Sequence, residues 1–389
     1  MDLAADVARQ IARMDALIGE LGGGGARIDP HTHLGLDEDG MAQTLDELLG
    51  HMDAAGVARA ATFPLHDPDR GEDYRVPNDR VLEWCAASGG RVIPFCRLSL
   101  DGDPAPEAER AIAAGARGIK LHPRAQAFQL DDDRLDPVFR VAAEHRIPIL
   151  IHAGRGMPPI GEELAAQAAR NPEALLILAH AAIVDQDRIA ERVAGMPNVV
   201  FDSSCWSPID LHALLTRVPP EQLVWASDLP YGTQREALLL TLAVLHETGA
   251  SPAQVEAVLG GTAARILAGE HAVLSARPIA ARERPVNLAR QRLGGYLVAL
   301  LPAIWGRRPD WVGHFGLAEN VCRDAEGELG PLGELIALAA ATWDDALARA
   351  GAARGEPTLD DVRVTFELLL AAWVMSYSPR TQERWEALA

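Results

Sequence analysis

The 389-residue chain has no uninterrupted apolar run near the roughly 18 residues that would cross a bilayer. The longest such stretches, around 296–305 and 368–375, read as buried helix faces, so no membrane contact is expected. The first 21 residues are amphipathic, with acids near the start and no small-residue cleavage site, which excludes a secretory or mitochondrial leader. Cysteine is scarce. Cys85, Cys96, Cys205 and Cys322 lie far apart with no C-x-x-C spacing, the pattern of free thiols in a reducing, cytoplasmic setting. Positive charge is in deficit: 36 Lys and Arg against 55 Asp and Glu leave a formal charge of −19. A chain that acidic is repelled by phosphate backbones, so no nucleic-acid partner is expected. The chain lacks G-x-x-x-x-G-K-[ST] and G-x-S-x-G, which removes the usual signals of P-loop and serine-hydrolase chemistry. The four glycines at 22–25 precede a strand instead of following one, and so are a flexible joint and no phosphate loop.

What is present is ordinary globular composition, 48% hydrophobic and 23% charged, arranged with a rhythm. Short apolar or β-branched runs begin near Arg27, Ala58, Arg91, Arg117, Ile147, Ala174, Asn198 and Leu223, at steps of 24 to 33 residues. Helix-period segments such as 44–55, 135–145, 161–169 and 187–193 fill the gaps. Eight strands alternating with helices are what a parallel (β/α)8 TIM barrel requires, because each parallel crossover needs a helix. A doubly wound open sheet is the alternative, and it usually has fewer units. The expected organisation is an N-terminal helix and glycine linker (1–26), the α/β barrel (27–270), and a C-terminal all-helical appendage (271–389) with helices over 285–304, 331–350 and 359–376. The appendage opens on an arginine-rich stretch over 277–310, read as a solvated face or a subunit interface. Trp305 and Trp311 read as exposed there, which points to a homodimer.

In such a barrel the active site lies at the C-terminal strand ends. The first ends on Asp29-Pro-His31-Thr-His33, whose two histidines at i and i+2 point the same way, into the barrel mouth. The fourth ends on Lys120-Leu-His122, the fifth on His152, the sixth on His180 and the eighth on Asp228. One such histidine alone is ordinary core. Metal-competent side chains at five of eight strand ends are not, since burying them unpaired would cost several kcal/mol. Imidazole and carboxylate suit Zn²⁺ and related divalent ions, and one cation satisfies them together. A bound ion would lower the pKa of water towards ~7 and polarise the bond to be attacked, and Asp228 would take the water's proton as general base.

The set His31-x-His33, His152, His180 and Asp228, with the surrounding GIKLHP, LIHAG, LAHAA and WASDLPYG, resembles the amidohydrolase superfamily. It is most similar to the amidohydrolase-related branch of metal-dependent hydrolases and aromatic-acid decarboxylases. The resemblance covers roughly residues 27–270. By position it implies that His31, His33 and Asp228 bind a first metal, that His152 completes a mononuclear site, and that His180 polarises substrate or relays a proton. In a binuclear site a carboxylated Lys120 would bridge two ions, with His152 and His180 on the second. His122 competes with Lys120 for that place. One Zn²⁺ is the first reading and two the second.

Loops after the strands offer His66, Arg97, Arg124, Arg155, Trp206 and Tyr231 as substrate contacts. Arginine beside a metal points to an anionic small molecule, and Trp206 could stack on a planar ring. The expected function is a metal-dependent hydrolase cleaving a C–N or C–O bond of an amide, lactam, lactone or ester. A decarboxylase of an aromatic or unsaturated acid is the alternative lyase. The retained His31 favours hydrolysis, because decarboxylases of the branch often carry Glu there. A metal-stabilised binding scaffold is the non-enzymatic reading, and the intact ligand set argues against it.

Overall fold

The computed structural model describes residues 2–274, 277–279, 287–308, 312–353 and 355–388. The chain divides into two compact units: 22–238 with 250–280, and 1–21 with 239–249 and 281–389.

The larger unit is the barrel. Its strands are β1 (Arg27–Leu36), β2 (Val57–Pro64), β3 (Val92–Pro94, resuming as Cys96–Arg97), β4 (Ile119–Leu121), β5 (Pro148–Ile151), β6 (Leu175–Leu178), β7 (Val199–Asp202) and β8 (Leu223–Val224). All neighbours pair in parallel. β3 changes partners at Phe95, whose N–H donates to Thr62 O on one side while Cys96 N donates to Gly118 O on the other. β8 returns to β1 through the Thr32–Leu229 bridge, which closes the ring. A two-residue strand, Ala42–Gln43, adds an antiparallel flap beyond Leu34.

β5 and β6 read PILI and LLIL, buried at every residue, as strands covered on both faces must be. Ile28, Phe63, Ile93, Phe95, Leu150, Ile177, Val200 and Val224 belong to the barrel's buried core cluster. Phe95 leans so closely on Gly118 that a Cβ there would lie 2.5 Å from its ring, so only glycine fits. The crossover helices carry local start and stop signals: Thr44 and Glu47 form a capping box, and Gly56 ends that helix with φ of 64°.

In the second unit the N-terminal helix (Leu3–Gly22), as far as residue 21, belongs with the C-terminal helices Leu288–Trp305, Val312–Asp324, Glu326–Ala352, Leu359–Tyr377 and Pro379–Ala387. Arg13 donates to Trp385 O at 2.8 Å and lies over the same ring. Two helices exceed the sequence expectation, Val312–Asp324 and Pro379–Ala387. The long one starts at Glu326, before Pro331, a residue that reads as a helix start when packing is ignored. Trp305 corrects another expectation. It is half-buried, edge-on to Phe366 with centroids 5.4 Å apart, because the helical unit needs large side chains to fill its interior. Trp311 lies outside the described residues, as do Arg282 and Arg284 of the arginine-rich stretch. Arg290 faces inward, bonding Glu328 at 2.6 Å and Met375 O at 3.0 Å.

Candidate metal centre

β1 delivers both of its histidines to the mouth. His31 is fully buried, and its Nε2 lies 3.0 Å from Asp228 Oδ1. His33 Nε2 lies 3.0 Å from the same oxygen. The loop after β8 is tied to β1 by its backbone: Asp228 N donates to His31 O at 2.9 Å and His33 N to Leu229 O at 2.8 Å. Asp228 itself takes a left-handed conformation, φ 59°, which aspartate tolerates better than most residues. Thr233, and not Asp228, caps the helix that follows, through its bond from Glu236 N, so Asp228 is left for the site. Beneath, the buried Asp29 accepts from Ser227 Oγ (2.6 Å), Gln234 Nε2 (2.9 Å) and the amides of His31 and Ser227.

His180 follows β6 in a tight left-handed turn. His180, Ala181 and Ala182 have φ of 60°, 52° and 52°, a run that costs each non-glycine residue roughly 1–2 kcal/mol. The turn swings the ring beside His31, centroids 5.3 Å apart. His31, His180 and Asp228 thereby offer ligand atoms all within 4.8 Å of one another. His152, after β5, sits next in line with Nδ1 3.0 Å from His180 Nε2. Gly154 allows this, because a Cβ there would lie 2.8 Å from the His180 ring. His122 stacks on His152, centroids 3.8 Å apart and 12° from parallel.

The donor set fits a divalent cation. Two ligands on one tetrahedral Zn²⁺ stand about 3.3 Å apart, close to the two 3.0 Å separations around Asp228 Oδ1. His33 Nδ1 and His152 Nε2 are buried with no hydrogen-bond partner among the described residues. Electrostatics agrees. Burial drives His33 down to about 3 and His122 to about 2, lowers His152 and His180 too, and so keeps these rings neutral and able to ligate. Burial would raise the Asp228 carboxyl, but His31 and His180 with hydrogen bonds from His31 and His33 hold it well below the usual range.

Lys120 is the chain's only lysine, every other cationic side chain being arginine. Its Nζ lies 3.3 Å from His31 Nε2 and 4.6 Å from the Phe63 ring centroid, and burial pulls it down to about 7.

The expected substrate residues separate. Arg97 is 2% exposed, with Nη1 donating to Pro64 O at 3.2 Å and Nε without a partner among the described residues. Tyr74 lies beside it and bonds His66 Nδ1. Tyr231 stands edge-on to His33, centroids 5.5 Å apart. Half-buried Trp206 lies by Gly232. Arg124 and Arg155 are exposed, and Arg124 borders a cavity of about 250 Å³ lined by Pro123, Phe128, Met157 and Ile160. Sequence reasoning missed Asp202, the end of β7, which accepts from His31 Nδ1 at 2.7 Å. The strand-end criterion used for the other strands would have found it.

The amidohydrolase family profile matches residues 6–268. No curated protein matches the chain. Among solved structures, an amidohydrolase described as putative from Staphylococcus aureus aligns at 16% identity and TM-score 0.50, over 62% of this chain and 99% of that one. A TIM-barrel protein from Bordetella bronchiseptica aligns at 17% and 0.50, over 67% and 92%. The 5-carboxyvanillate decarboxylase of Sphingomonas paucimobilis aligns at 16% and 0.48, over 63% of this chain and 99% of that one. At these identities the likeness to solved structures speaks for the fold, while the profile match spans most of the chain. The chain belongs to the amidohydrolase family.

Proposed function

We propose that this protein is a metal-dependent hydrolase that cleaves a C–N or C–O bond in a small anionic molecule. The observation that carries the reading is the convergence of His31, His180 and Asp228 within 4.8 Å, with His33 on the same Asp228 oxygen, at the strand ends of a closed barrel. His31, His33 and Asp228 would hold one Zn²⁺ together with His152 or His180. Lys120, if carboxylated, would recruit a second. A bound divalent ion supplies Lewis acidity and makes water a stronger acid.

The chain's own residues do the rest. Asp228 is ionised at neutral pH, and with Oδ1 engaged by two histidines its Oδ2 takes the proton of the attacking water and returns it to the leaving group. His180 donates Nδ1–H to Ser204 O at 2.8 Å, which leaves Nε2 as its acceptor. His152 Nδ1–H then donates to that nitrogen, so His180 is held as a neutral ring beside the reacting oxygen. Arg97, with a buried guanidinium edge lacking a carboxylate partner among the described residues, would dock the substrate anion. His66, Tyr231, Trp206, Arg124 and Arg155 would shape the surrounding walls.

The test is metal content per chain, by elemental analysis of the wild type and Lys120→Ala, with an activity screen over esters, lactones, amides and aromatic carboxylic acids. Turnover of the first three groups with loss on chelation supports hydrolysis. Release of CO₂ from the acids alone replaces it with decarboxylation, and absence of any metal uptake removes the mechanism.

A further inference from the structure

Asp202 meets both histidines that flank the centre. Its Oδ2 lies 2.7 Å from His31 Nδ1. Its Oδ1 accepts from His180 N at 2.8 Å, from Ser204 N at 3.0 Å and from Ser204 Oγ. The carboxylate is fully buried at the end of β7, and both its oxygens are occupied.

The bonding pattern dictates protonation. A carboxylate only accepts, so His31 must carry a proton on Nδ1, and Nε2, which faces Asp228 at 3.0 Å, is the one nitrogen of the ring that can exchange a proton for a cation. The same carboxylate accepts the amide of the first residue in the left-handed turn, and Ser204 O receives the His180 ring. One side chain therefore sets the ring state of His31 and anchors the backbone that carries His180.

We infer that Asp202 is the positioning residue of the centre, fixing the His31 tautomer and the His180 turn and thereby setting metal affinity. This rests on the metal-dependent reading above. Asparagine separates the two duties. It has the same shape, but one end is now a donor. With its oxygen kept on His180 N, its NH₂ faces His31 Nδ1, which must then accept, so the ring's proton is confined to Nε2, where it blocks ligation. Flipped, the amide sets a donor against His180 N and opens the turn. Neither orientation satisfies both partners.

The experiment uses the full-length protein. Zn²⁺ affinity is measured by competition with a chromophoric chelator for wild type and Asp202→Asn, with thermal unfolding as the check on folding. Removing an outer partner of a ligating histidine weakens metal binding roughly 10- to 100-fold, and that loss is expected here with the metal-free Tm retained. The second readout is ¹⁵N NMR of the metal-free protein at alkaline pH, the His31 signals being assigned by their disappearance in His31→Gln. Wild type should show Nδ1 protonated, and Asp202→Asn should show Nδ1 without its proton. Unchanged affinity in a folded Asp202→Asn overturns the inference, as does a wild-type His31 with no proton on Nδ1, a measurement that stands even where the variant fails to fold. A wild type that binds no zinc yet shows the expected tautomer removes the metal reading and leaves the Asp202–His31 assignment intact.

Discussion

Lys120 places its Nζ 3.3 Å from His31 Nε2 at the floor of the barrel mouth, in a chain that uses arginine at every other cationic position. Arginine stays charged at any working pH, whereas lysine can give up its proton when buried. Burial is the leading cause of the fall to about 7 here, Asp228 opposing it and Arg97 adding to it.

That shift makes stability depend on pH. The unfolded chain keeps the lysine proton up to about pH 10, while the folded chain releases it near 7. Between those values the unfolded state binds more protons, so this residue's contribution makes the metal-free protein more stable as pH rises, by at most about 1.4 kcal/mol per unit. Chemical denaturation from pH 7 to 10 should show the rise in wild type. In Lys120→Met the slope should be smaller, and equal slopes would show that the amine does not titrate there.

Asp228→Asn should abolish turnover while the fold survives. Asparagine can still receive His31 and His33 through one oxygen, but it cannot take a proton from water. Loss of a general base costs typically 10²- to 10⁴-fold in rate, read as kcat on the substrate found in the screen. Activity that survives the change in full would end the catalytic reading of this residue.

Arg97→Met should act on binding. A charged hydrogen bond contributes about 1.5–3 kcal/mol, so KM for an anionic substrate should rise roughly 10- to 100-fold, with little change for its neutral methyl ester. An equal loss on both would show that Arg97 supports the loop and does not dock the anion.

Asp29→Ala should cost stability first. The carboxyl, raised to about 6 by burial against its hydrogen bonds, joins β1 to Ser227 and Gln234. Each buried donor left without its acceptor costs about 1–3 kcal/mol, so a loss of 2 kcal/mol or more is expected in urea unfolding. The Asp228 loop should loosen with it, and Zn²⁺ affinity should fall in parallel. A variant as stable as wild type would show that water replaces the carboxylate.

The barrel was legible because each of its units is local. A strand and its crossover helix occupy about 30 consecutive residues, and the PILI and LLIL runs announce their burial without knowledge of their neighbours. The strand-end histidines were legible for the same reason, since i, i+2 alternation aims His31 and His33 together. The helical unit was harder. The first 21 residues belong with residues 281–389, a pairing of segments far apart in the chain that no local pattern records. Pro331 inside Glu326–Ala352 and the packing of Trp305 on Phe366 likewise depend on distant surfaces.

The sequence by itself determined which ligand-competent side chains stand at the strand ends, and that the one lysine stands among them. Only the tertiary structure decided which of them meet. His180 joins His31 and Asp228 because three non-glycine residues adopt a left-handed turn, a conformation that alanine does not favour and that Asp202 and Ser204 hold from another strand. Lys120 loses its ordinary basicity only once β4 is enclosed by its neighbours. Both are consequences of burial and of hydrogen bonds between residues far apart in the chain, which a linear pattern does not encode.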